Sequence, residues 1–299
     1  MQKIIPCLWS DGWAEEAAEL YTSLFPDSAI GEITRFTQEG FEHHGQSDGT
    51  VLTVSLNLAG QEFLILNGGP MFKPNPSISF FVLTPDEKLV DRLWKGLGDG
   101  GSVMMPMDRY PWGEKYGWVA DPFGVNWQIM KARPEDSEQT IVPALMFTGA
   151  MTGKAEEAMN RYGSVFGGLE TLEISHYGRE AGDRAGMLNH GRFRMAGQAF
   201  VVFDSGVDQD FGFTPGVSLQ VMTDDQAETD RIWNALRHVP EAERCGWLCD
   251  RYGMNWQIIP REMPGLLNGP DREAAGRARA AMFEMKKIDI AELRSAYAG

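Results

Sequence analysis

One segment of this chain occurs twice. Residues 117–129 read GWVADPFGVNWQI, and residues 246–258 read GWLCDRYGMNWQI. Further upstream, LAGQEFLIL at residues 58–66 matches MAGQAFVVF at residues 195–203. Because self-similarity at a fixed spacing marks repeated structural units, we predict two homologous domains, residues 1–133 and 140–262. The residues that follow, 263–299, are predicted to form a helical C-terminal tail.

Each unit is predicted to contain a strand, a helix and three strands, followed by the same series again. Apolar residues between Ala14 and Phe25 fall on one face of a helix, and residues 155–166 repeat their spacing. The segment Thr84–Glu87 is predicted to open the second helix, with Thr84 as its N-terminal cap. The fold class is therefore α+β, with four βαβββ modules and additional C-terminal helices. The second unit is shorter, because it lacks the counterpart of most of GSVMMPMDRYPWGE.

Composition limits the partners that this chain can take. Its formal net charge is −15, so its surface should repel nucleic acid and anionic membranes. No apolar run is long enough to span a membrane, and no secretory signal peptide is evident. The three cysteines are an odd number and do not suggest a disulfide framework. We expect a cytoplasmic protein whose partner is a small-molecule ligand.

Four stretches of sequence point to a family. They are PCLWSDGWAEEAAELYTSLFPDS from Pro6, LNGGPMFKPNPSISFFV from Leu66, YPWGEKYGWVADPFGVNWQI from Tyr110 and MKKIDIAELRSAYAG at the C-terminus. With its four modules, the chain resembles the vicinal oxygen chelate superfamily, which includes glyoxalase I, bleomycin-resistance proteins and extradiol dioxygenases. More narrowly, it resembles the PhnB-like subfamily, often labelled 3-demethylubiquinone-9 3-methyltransferase domains. The resemblance implies two half-barrel domains around ligand cavities, and modules that pair, so a homodimer is also expected.

In that superfamily a divalent metal is usually held by a His on the first strand of a module and a Glu on the last. The resemblance places Gln128 and Gln257 at the Glu positions, and Ser77 and Gly216 at the His positions. A Gln amide oxygen is a neutral ligand, whereas cations in proteins usually gain from carboxylate or imidazole. No cofactor is therefore predicted, and a divalent metal is disfavoured.

The histidines do not supply the missing ligands. His43 and His44 lie in a Gly-rich segment and are expected to be solvated, while His176 and His190 fall away from the superfamily's ligand positions. The run Gly96–Gly101 follows a predicted helix, so it indicates a helix end rather than a loop that binds a methyl donor. This placement counts against a methyltransferase.

Strand alternation gives the two glutamines a different role. Asn126 and Gln128 share the strand face that should line a cavity, and Asn255 and Gln257 repeat the arrangement. A buried amide needs hydrogen-bond partners, so these side chains either close the sheet among themselves or wait for a ligand. The sequence favours neither alternative.

An aromatic segment near residue 112 occurs only in the first unit. Tyr110 and Trp112 are candidates for a lid over the cavity, and Lys115 could supply charge to a ligand. The sequence thus leads to two main hypotheses. The first is a metal-free protein that binds a small, partly aromatic molecule in the cavity of the first unit. The second is a metal-dependent lyase, isomerase or dioxygenase of the same superfamily; the methyltransferase of the family label and a self-associating scaffold are less favoured.

Overall fold

The computed structural model describes residues 2–39, 41 and 45–299. The first unit contains the two predicted modules in the predicted order. Its first module consists of β1 (Ile4–Ser10), α1 (Ala14–Leu24), β2 (Ala29–Arg35), β3 (Val51–Leu58) and β4 (Gln61–Asn67). Its second module consists of β5 (Ile78–Thr84), α2 (Glu87–Gly98), β6 (Ser102–Tyr110), β7 (Gly113–Ala120) and β8 (Asn126–Lys131).

The second unit repeats this order and is followed by the predicted helical tail. Its modules are β9 (Ile141–Phe147), α3 (Ala155–Val165), β10 (Glu170–His176), β11 (Leu188–Met195) and β12 (Gln198–Asp204), then β13 (Val217–Thr223), α4 (Gln226–Leu236), β14 (Trp247–Cys249) and β15 (Asn255–Pro260). The tail contains α5 (Met263–Leu267), α6 (Arg272–Glu284) and α7 (Ile290–Ala298). Each described helix falls short of the length and apolar character that a membrane span requires.

The prediction that Thr84 caps the second helix is wrong. Helix α2 begins at Glu87, and the Asp86 carboxylate accepts the backbone N–H of Lys88 at 2.9 Å. Thr84 still belongs to β5, and its Oγ1 accepts the N–H of Asp86 at 3.2 Å. Asp is at least as good a cap as Thr. Asp86, which follows the end of β5, therefore takes the capping position in place of Thr84.

Each of the two mixed sheets combines one module from each sequence unit. The seven-stranded sheet has the order β14-β15-β13-β1-β4-β3-β2, and the eight-stranded sheet has the order β10-β11-β12-β9-β5-β8-β7-β6. The units meet in two antiparallel pairs, β1 with β13 and β5 with β9. Their registers are equivalent, since Ile4 lies opposite Val221 and Ile141 lies opposite Val82. An approximate two-fold symmetry therefore relates the two units.

Helices α1 to α4 pack on one face of the sheets and bury the aromatic core. In the first unit, the ring of Phe63 in β4 lies 5.1 Å from that of Phe80 in β5, and Trp127 lies 5.3 Å from Phe80. In the second unit, Trp256 lies 5.2 Å from Tyr162 of α3. These rings are buried, and removal of apolar surface from water is the main stabilising force in a core of this kind.

On the side opposite the helices, the two sheets present an eight-strand face and a seven-strand face. Successive strand residues point to opposite sides, so residues of these faces alternate along each strand with residues of the core. The eight-strand face is formed centrally by Ser79, Phe81, Tyr116, Gln128, Met130, Val142, Ala144, Ala199 and Val201. The seven-strand face is formed centrally by Ile5, Cys7, Ser218, Gln220, Met222, Gln257 and Ile259.

The C-terminal tail packs on the part of the seven-strand face formed by Ile5, Met222 and Ile259. Met222 and Ile259 of this face form a buried apolar cluster with four tail residues, Met263, Met285, Ile288 and Leu293. Ile5, on the neighbouring strand, packs against the same cluster. The tail helices therefore belong to the half-barrel of the seven-stranded sheet.

The tail also replaces a strand. In the described part of the chain the fourth module has no counterpart of β6, in agreement with the shortening seen in the sequence. The N–H groups of Cys245 and Gly246 donate instead to the carbonyls of Met285 and Lys286, at 2.8 and 2.7 Å. Two main-chain hydrogen bonds thus attach the tail beside β14.

The eight-strand face carries no such helical cover within the described residues. Its apolar cluster contains strand residues and one linker residue: Leu83, Ala132, Val142, Ala144, Ala199 and Val201, with Phe81, Met130 and Phe203 packed against it. The linker between the units touches the margin of this face, where the Asp136 carbonyl accepts a hydrogen bond from Arg192 at 2.8 Å. The two half-barrels of one chain are therefore unequal.

Candidate functional site

A buried carboxylate organises the repeated hairpin. Asp121 Oδ1 accepts the backbone N–H groups of Phe123 and Val125, at 2.9 and 3.0 Å. Its Oδ2 accepts Tyr21 Oη at 2.6 Å and Trp127 Nε1 at 2.9 Å. Burial raises the pKa of Asp121, and these four hydrogen bonds oppose that shift. The Asp of the repeated motif therefore has a structural role.

The second unit repeats this arrangement. Asp250 accepts Tyr162 Oη at 2.8 Å and Trp256 Nε1 at 2.9 Å, together with the N–H groups of Tyr252 and Met254. Burial again raises the pKa of the carboxyl group. Much of the duplicated sequence is thus explained by the closure of a turn and its attachment to a helix.

Gln128 lies at the centre of the eight-strand face with both ends of its amide engaged. Its Oε1 accepts Tyr116 Oη at 2.6 Å, and its Nε2 donates to Ser79 Oγ at 2.8 Å. The residue is 2% exposed, so this network meets the requirement of a buried amide for partners. Burial raises the pKa of Tyr116 far above its ordinary value, which keeps the phenol neutral and able to donate.

Gln257 occupies the equivalent place on the seven-strand face. Its Nε2 donates to Ser218 Oγ at 3.0 Å, and its Oε1 accepts Gln220 Nε2 at 3.2 Å. Cys7 lies beside Ser218 in register, and burial raises the pKa of its thiol to about 11. These polar groups lie on the face on which the tail packs.

Three aromatic rings adjoin Gln128. The ring of Tyr110 stacks on that of Trp112 at 5.0 Å, and the Tyr116 ring meets them edge-on at 5.5 and 5.8 Å. Trp112 is 58% exposed. The predicted lid loop is instead a tight hairpin between β6 and β7, because those strands extend to Tyr110 and from Gly113. Tyr110 and Trp112 nevertheless reach the neighbourhood of Gln128 through Tyr116.

The opposite side of the half-barrel contributes His190, which the sequence did not identify as a site residue. The His190 ring on β11 lies 6.4 Å from the Phe81 ring on β5, edge to face. Two strands, β9 and β12, lie between them in the sheet, so the two side chains meet across these strands. Burial lowers the pKa of His190. Residues of both sequence units therefore form this face, whereas the sequence had suggested a cavity of the first unit alone.

Two predicted site residues do not join this group. Ser77 precedes β5, where its N–H donates to Asn75 Oδ1 at 2.8 Å and its carbonyl accepts the N–H of Met146; Ser79 is the serine that contacts Gln128. Lys115 lies on the helix side of β7 and pairs with Glu87 at 3.2 Å and Asp91 at 2.6 Å. Adjacent strand residues face opposite ways, so Lys115 points away from Tyr116.

The two predicted asparagines serve their own turns. Asn126 Nδ2 donates to the Gly124 carbonyl at 3.0 Å, and its Oδ1 accepts Trp118 Nε1 at 3.0 Å. Asn255 Nδ2 donates to the Gly253 carbonyl at 3.1 Å. Side chains of this kind commonly stabilise turns by bonding to the nearby backbone. The alternative that these amides close the structure therefore accounts for both asparagines.

The donors at the superfamily's metal positions do not fit a divalent cation. The amide oxygen of Gln128 already accepts the Tyr116 hydroxyl, and the His positions hold Ser77 and Gly216, which bring neither imidazole nor carboxylate. Hard and borderline cations favour carboxylate or imidazole ligands. Over residues 2–39, 41 and 45–299, no group of three or more His, Cys, Asp or Glu side chains is placed to hold a metal ion. His43 and His44 lie outside the described residues.

A surface cavity of about 550 Å³ adjoins the eight-strand face. Its lining includes Glu173 of β10, Arg192 of β11 and Asp136 of the linker. Arg192 lies opposite Val201 in the sheet, so its side chain is on the same side as the apolar residues of the eight-strand face. In the described part of the chain, its buried Nε has no hydrogen-bond partner. This charged cavity lies at the β10–β11 end of the sheet, and four strands separate β11 from β7, which carries Tyr116.

The sequence and the fold both have known counterparts. The family model described as 3-demethylubiquinone-9 3-methyltransferase matches residues 2–130 and 139–259. A PhnB protein from Bacillus cereus is 35% identical, over 43% of this chain and 98% of its own, with a TM-score of 0.39. Glyoxalase I from Zea mays is 12% identical, over 85% of this chain and 90% of its own, with a TM-score of 0.54. None of the curated proteins matches the chain.

Proposed function

We propose that this chain binds a small, partly aromatic molecule on its eight-strand face. The chain belongs to the 3-demethylubiquinone-9 3-methyltransferase family and is a PhnB-like member of the vicinal oxygen chelate superfamily. The observation that carries the proposal is the inequality of the two half-barrels. Tail residues pack on Met222 and Ile259 of the seven-strand face, whereas the cluster on the eight-strand face consists of strand residues and Ala132. Clefts lined by apolar side chains and a few polar groups are the usual sites for small ligands, and a cavity of about 550 Å³ opens beside this face.

The aromatic residues suggest how a ring would be held. The exposed indole of Trp112, stacked on Tyr110, offers a flat surface beside Tyr116. Aromatic pairs contribute about 0.5–1.5 kcal/mol beyond the area that they bury. Phe81 borders the same face from β5. A planar ring between these groups would gain apolar contact on both of its sides.

The polar groups suggest what the rest of the ligand carries. The Tyr116 hydroxyl donates to Gln128 and can still accept, and Gln128 Nε2 has a second N–H beside the one that it gives to Ser79. These neutral groups would recognise a hydrogen-bonding group rather than a charge. Arg192, with a buried donor that lacks a partner among the described residues, would receive an acceptor at the other end of the ligand. The proposed ligand therefore has an aromatic part and a polar part.

A titration with the neutral aromatic fluorophore N-phenyl-1-naphthylamine tests this function. We expect saturable binding of one equivalent by the full chain. Trp112→Ala should weaken the binding roughly tenfold, because it removes the exposed stacking surface. Since Trp112 is 58% exposed, its loss should leave the unfolding midpoint nearly unchanged.

Met71→Ala is the matched control, because Met71 is an apolar residue with 76% exposure outside the eight-strand face. This variant should bind the fluorophore as the parent chain does. Equal affinity of the Trp112→Ala variant and the parent chain for the fluorophore would place the ligand elsewhere. A parent chain without saturable binding would contradict the proposed function.

A further inference from the structure

We propose that the C-terminal tail, residues 263–299, is a built-in occupant of a second ligand site on the seven-strand face. The inference rests on the proposed function, because it assumes that the eight-strand face is a ligand site. It adds that one chain contains two such sites and that its own tail keeps one of them filled.

The polar centres of the two faces are equivalent. Gln128 donates to Ser79 on one face, and Gln257 donates to Ser218 on the other, at 2.8 and 3.0 Å. In both sheets the glutamine lies on the last strand of its module and the serine on the parallel strand beside it. The third partner differs, because Tyr116 serves Gln128 while Gln220 serves Gln257. The seven-strand face thus keeps the glutamine–serine pair of the eight-strand face.

The tail supplies apolar groups where a ligand would lie. Ile288 and Leu293 are fully buried, and Met263 and Met285 are each 8% exposed. They pack on Met222 and Ile259 of the sheet. Methionine adapts its shape to irregular gaps, so this set fills a concave surface without a close geometric match. The tail therefore occupies the part of the face formed by Met222 and Ile259, two residues along their strands from Gln220 and Gln257.

The attachment of the tail is separable from the sheet. Strands β13 and β15 pair with each other, and β13 also pairs with β1, so these ladders do not depend on the tail. The tail is held by two main-chain hydrogen bonds beside β14 and by the bonds of Gln226 to the backbone of Ile288 and Ile290. Two ion pairs add to these, from Lys287 to Asp230 at 2.5 Å and from Arg279 to Glu39 at 3.4 Å. Among the described residues, the buried Nε of Arg279 in α6 has no hydrogen-bond partner. The tail can therefore open while the seven-stranded sheet stays intact.

This arrangement fixes how the chain should respond to a ligand. The apparent affinity of a site that is open for only a fraction of the time is reduced by that fraction. The parent chain should therefore bind one equivalent at low concentration, and loosening of the tail should reveal a second equivalent.

The test compares two full-length double variants by titration with N-phenyl-1-naphthylamine. Ile288→Ser with Leu293→Ser loosens the tail, while Ile232→Ser with Leu236→Ser is the control, because it removes buried apolar side chains from α4 on the opposite side of the same sheet. We expect the tail variant to bind two equivalents, with an apparent affinity at the second site at least roughly tenfold above that of the parent chain. The control should bind one.

The outcomes separate this inference from the proposed function. One equivalent in both the parent and a folded tail variant would overturn the inference and leave the function intact. No binding by the parent, with one equivalent in the tail variant, would overturn the function and support an occupied second site. If the tail variant does not fold, hydrogen exchange of the parent chain decides: high fluorophore concentrations should speed exchange at residues 285–293, and unchanged protection there would contradict the inference.

Discussion

At the scale of single residues, Gln128 joins three strands of the eight-stranded sheet, because it bonds to Tyr116 of β7 and to Ser79 of β5. Alternation along β8 predicted that this side chain points away from the core, and the structure places it on the eight-strand face. Its partners Tyr116 and Ser79 come from neighbouring strands, whose order in a sheet does not follow from spacing along the chain. His190 was set aside because it lies at no superfamily ligand position, yet the fold brings its ring to Phe81. Contacts between distant segments were therefore the unpredictable part of the site.

His190 should make stability depend on pH. Burial lowers the folded-state pKa of its imidazole below the ordinary value of 6.5, so folding favours the neutral form. Its contribution is fully present above that value and is lost as the pH falls through the lower folded-state pKa. The stability advantage of the parent chain over His190→Gln should therefore shrink as the pH is lowered from about 7 to about 5.

Urea unfolding of both proteins across that range measures this difference, and the variant corrects for all other titrating groups. A difference that stays constant, or that grows toward low pH, would show that the imidazole is not held neutral by its surroundings.

At the scale of elements, the modules were predictable because each depends on local patterns. The repeated hydrophobic spacing located the helices and strands, and the structure confirms the α+β fold. Helix α1 nevertheless belongs to the first module, while the hairpin that it supports belongs to the second, through the bond from Tyr21 to Asp121. A hundred residues separate these partners, so no local pattern could pair them.

Tyr21→Phe tests that connection. The substitution keeps the buried ring but removes one of four donors to a buried carboxylate. We expect the free energy of unfolding to fall by about 2 kcal/mol, the usual loss for a hydrogen bond to a charged group. Urea denaturation measures this loss, provided that the dependence of the unfolding free energy on urea concentration is the same in both proteins. Tyr110→Phe is the control, because its hydroxyl bonds to the Pro106 carbonyl at an exposed site; equal losses in the two variants would argue against a structural role for Asp121.

At the scale of the whole molecule, the two sequence units interlock. Each sheet is completed only where β1 meets β13 and β5 meets β9. The sequence predicted the two units but not this exchange, because pairing within a unit would satisfy the same hydrophobic pattern. Homodimer formation by the intact chain stays a prediction, which sedimentation equilibrium would test.

Interlocking predicts that a chain cut at the linker can reassemble. Residues 1–133 alone would expose the strand edges of β1 and β5, and unpaired edges promote association. We expect this fragment to sediment as a dimer or larger species by itself, and as a one-to-one complex when it is co-expressed with residues 140–299. A fragment that remains a monodisperse monomer and ignores its partner would contradict the sheet topology.

The equivalent registers at the two junctions have a consequence for how such a protein can change over time. Two identical chains that pair through a two-fold axis must have identical half-barrels, so any substitution alters both at once. Covalent linkage of the two units removes that constraint. Each half-barrel of this chain can vary separately, and the tail that fills one of them is attached to only one unit. Fusion thus allows one half-barrel to specialise in stability while the other keeps the face on which we propose that a ligand binds.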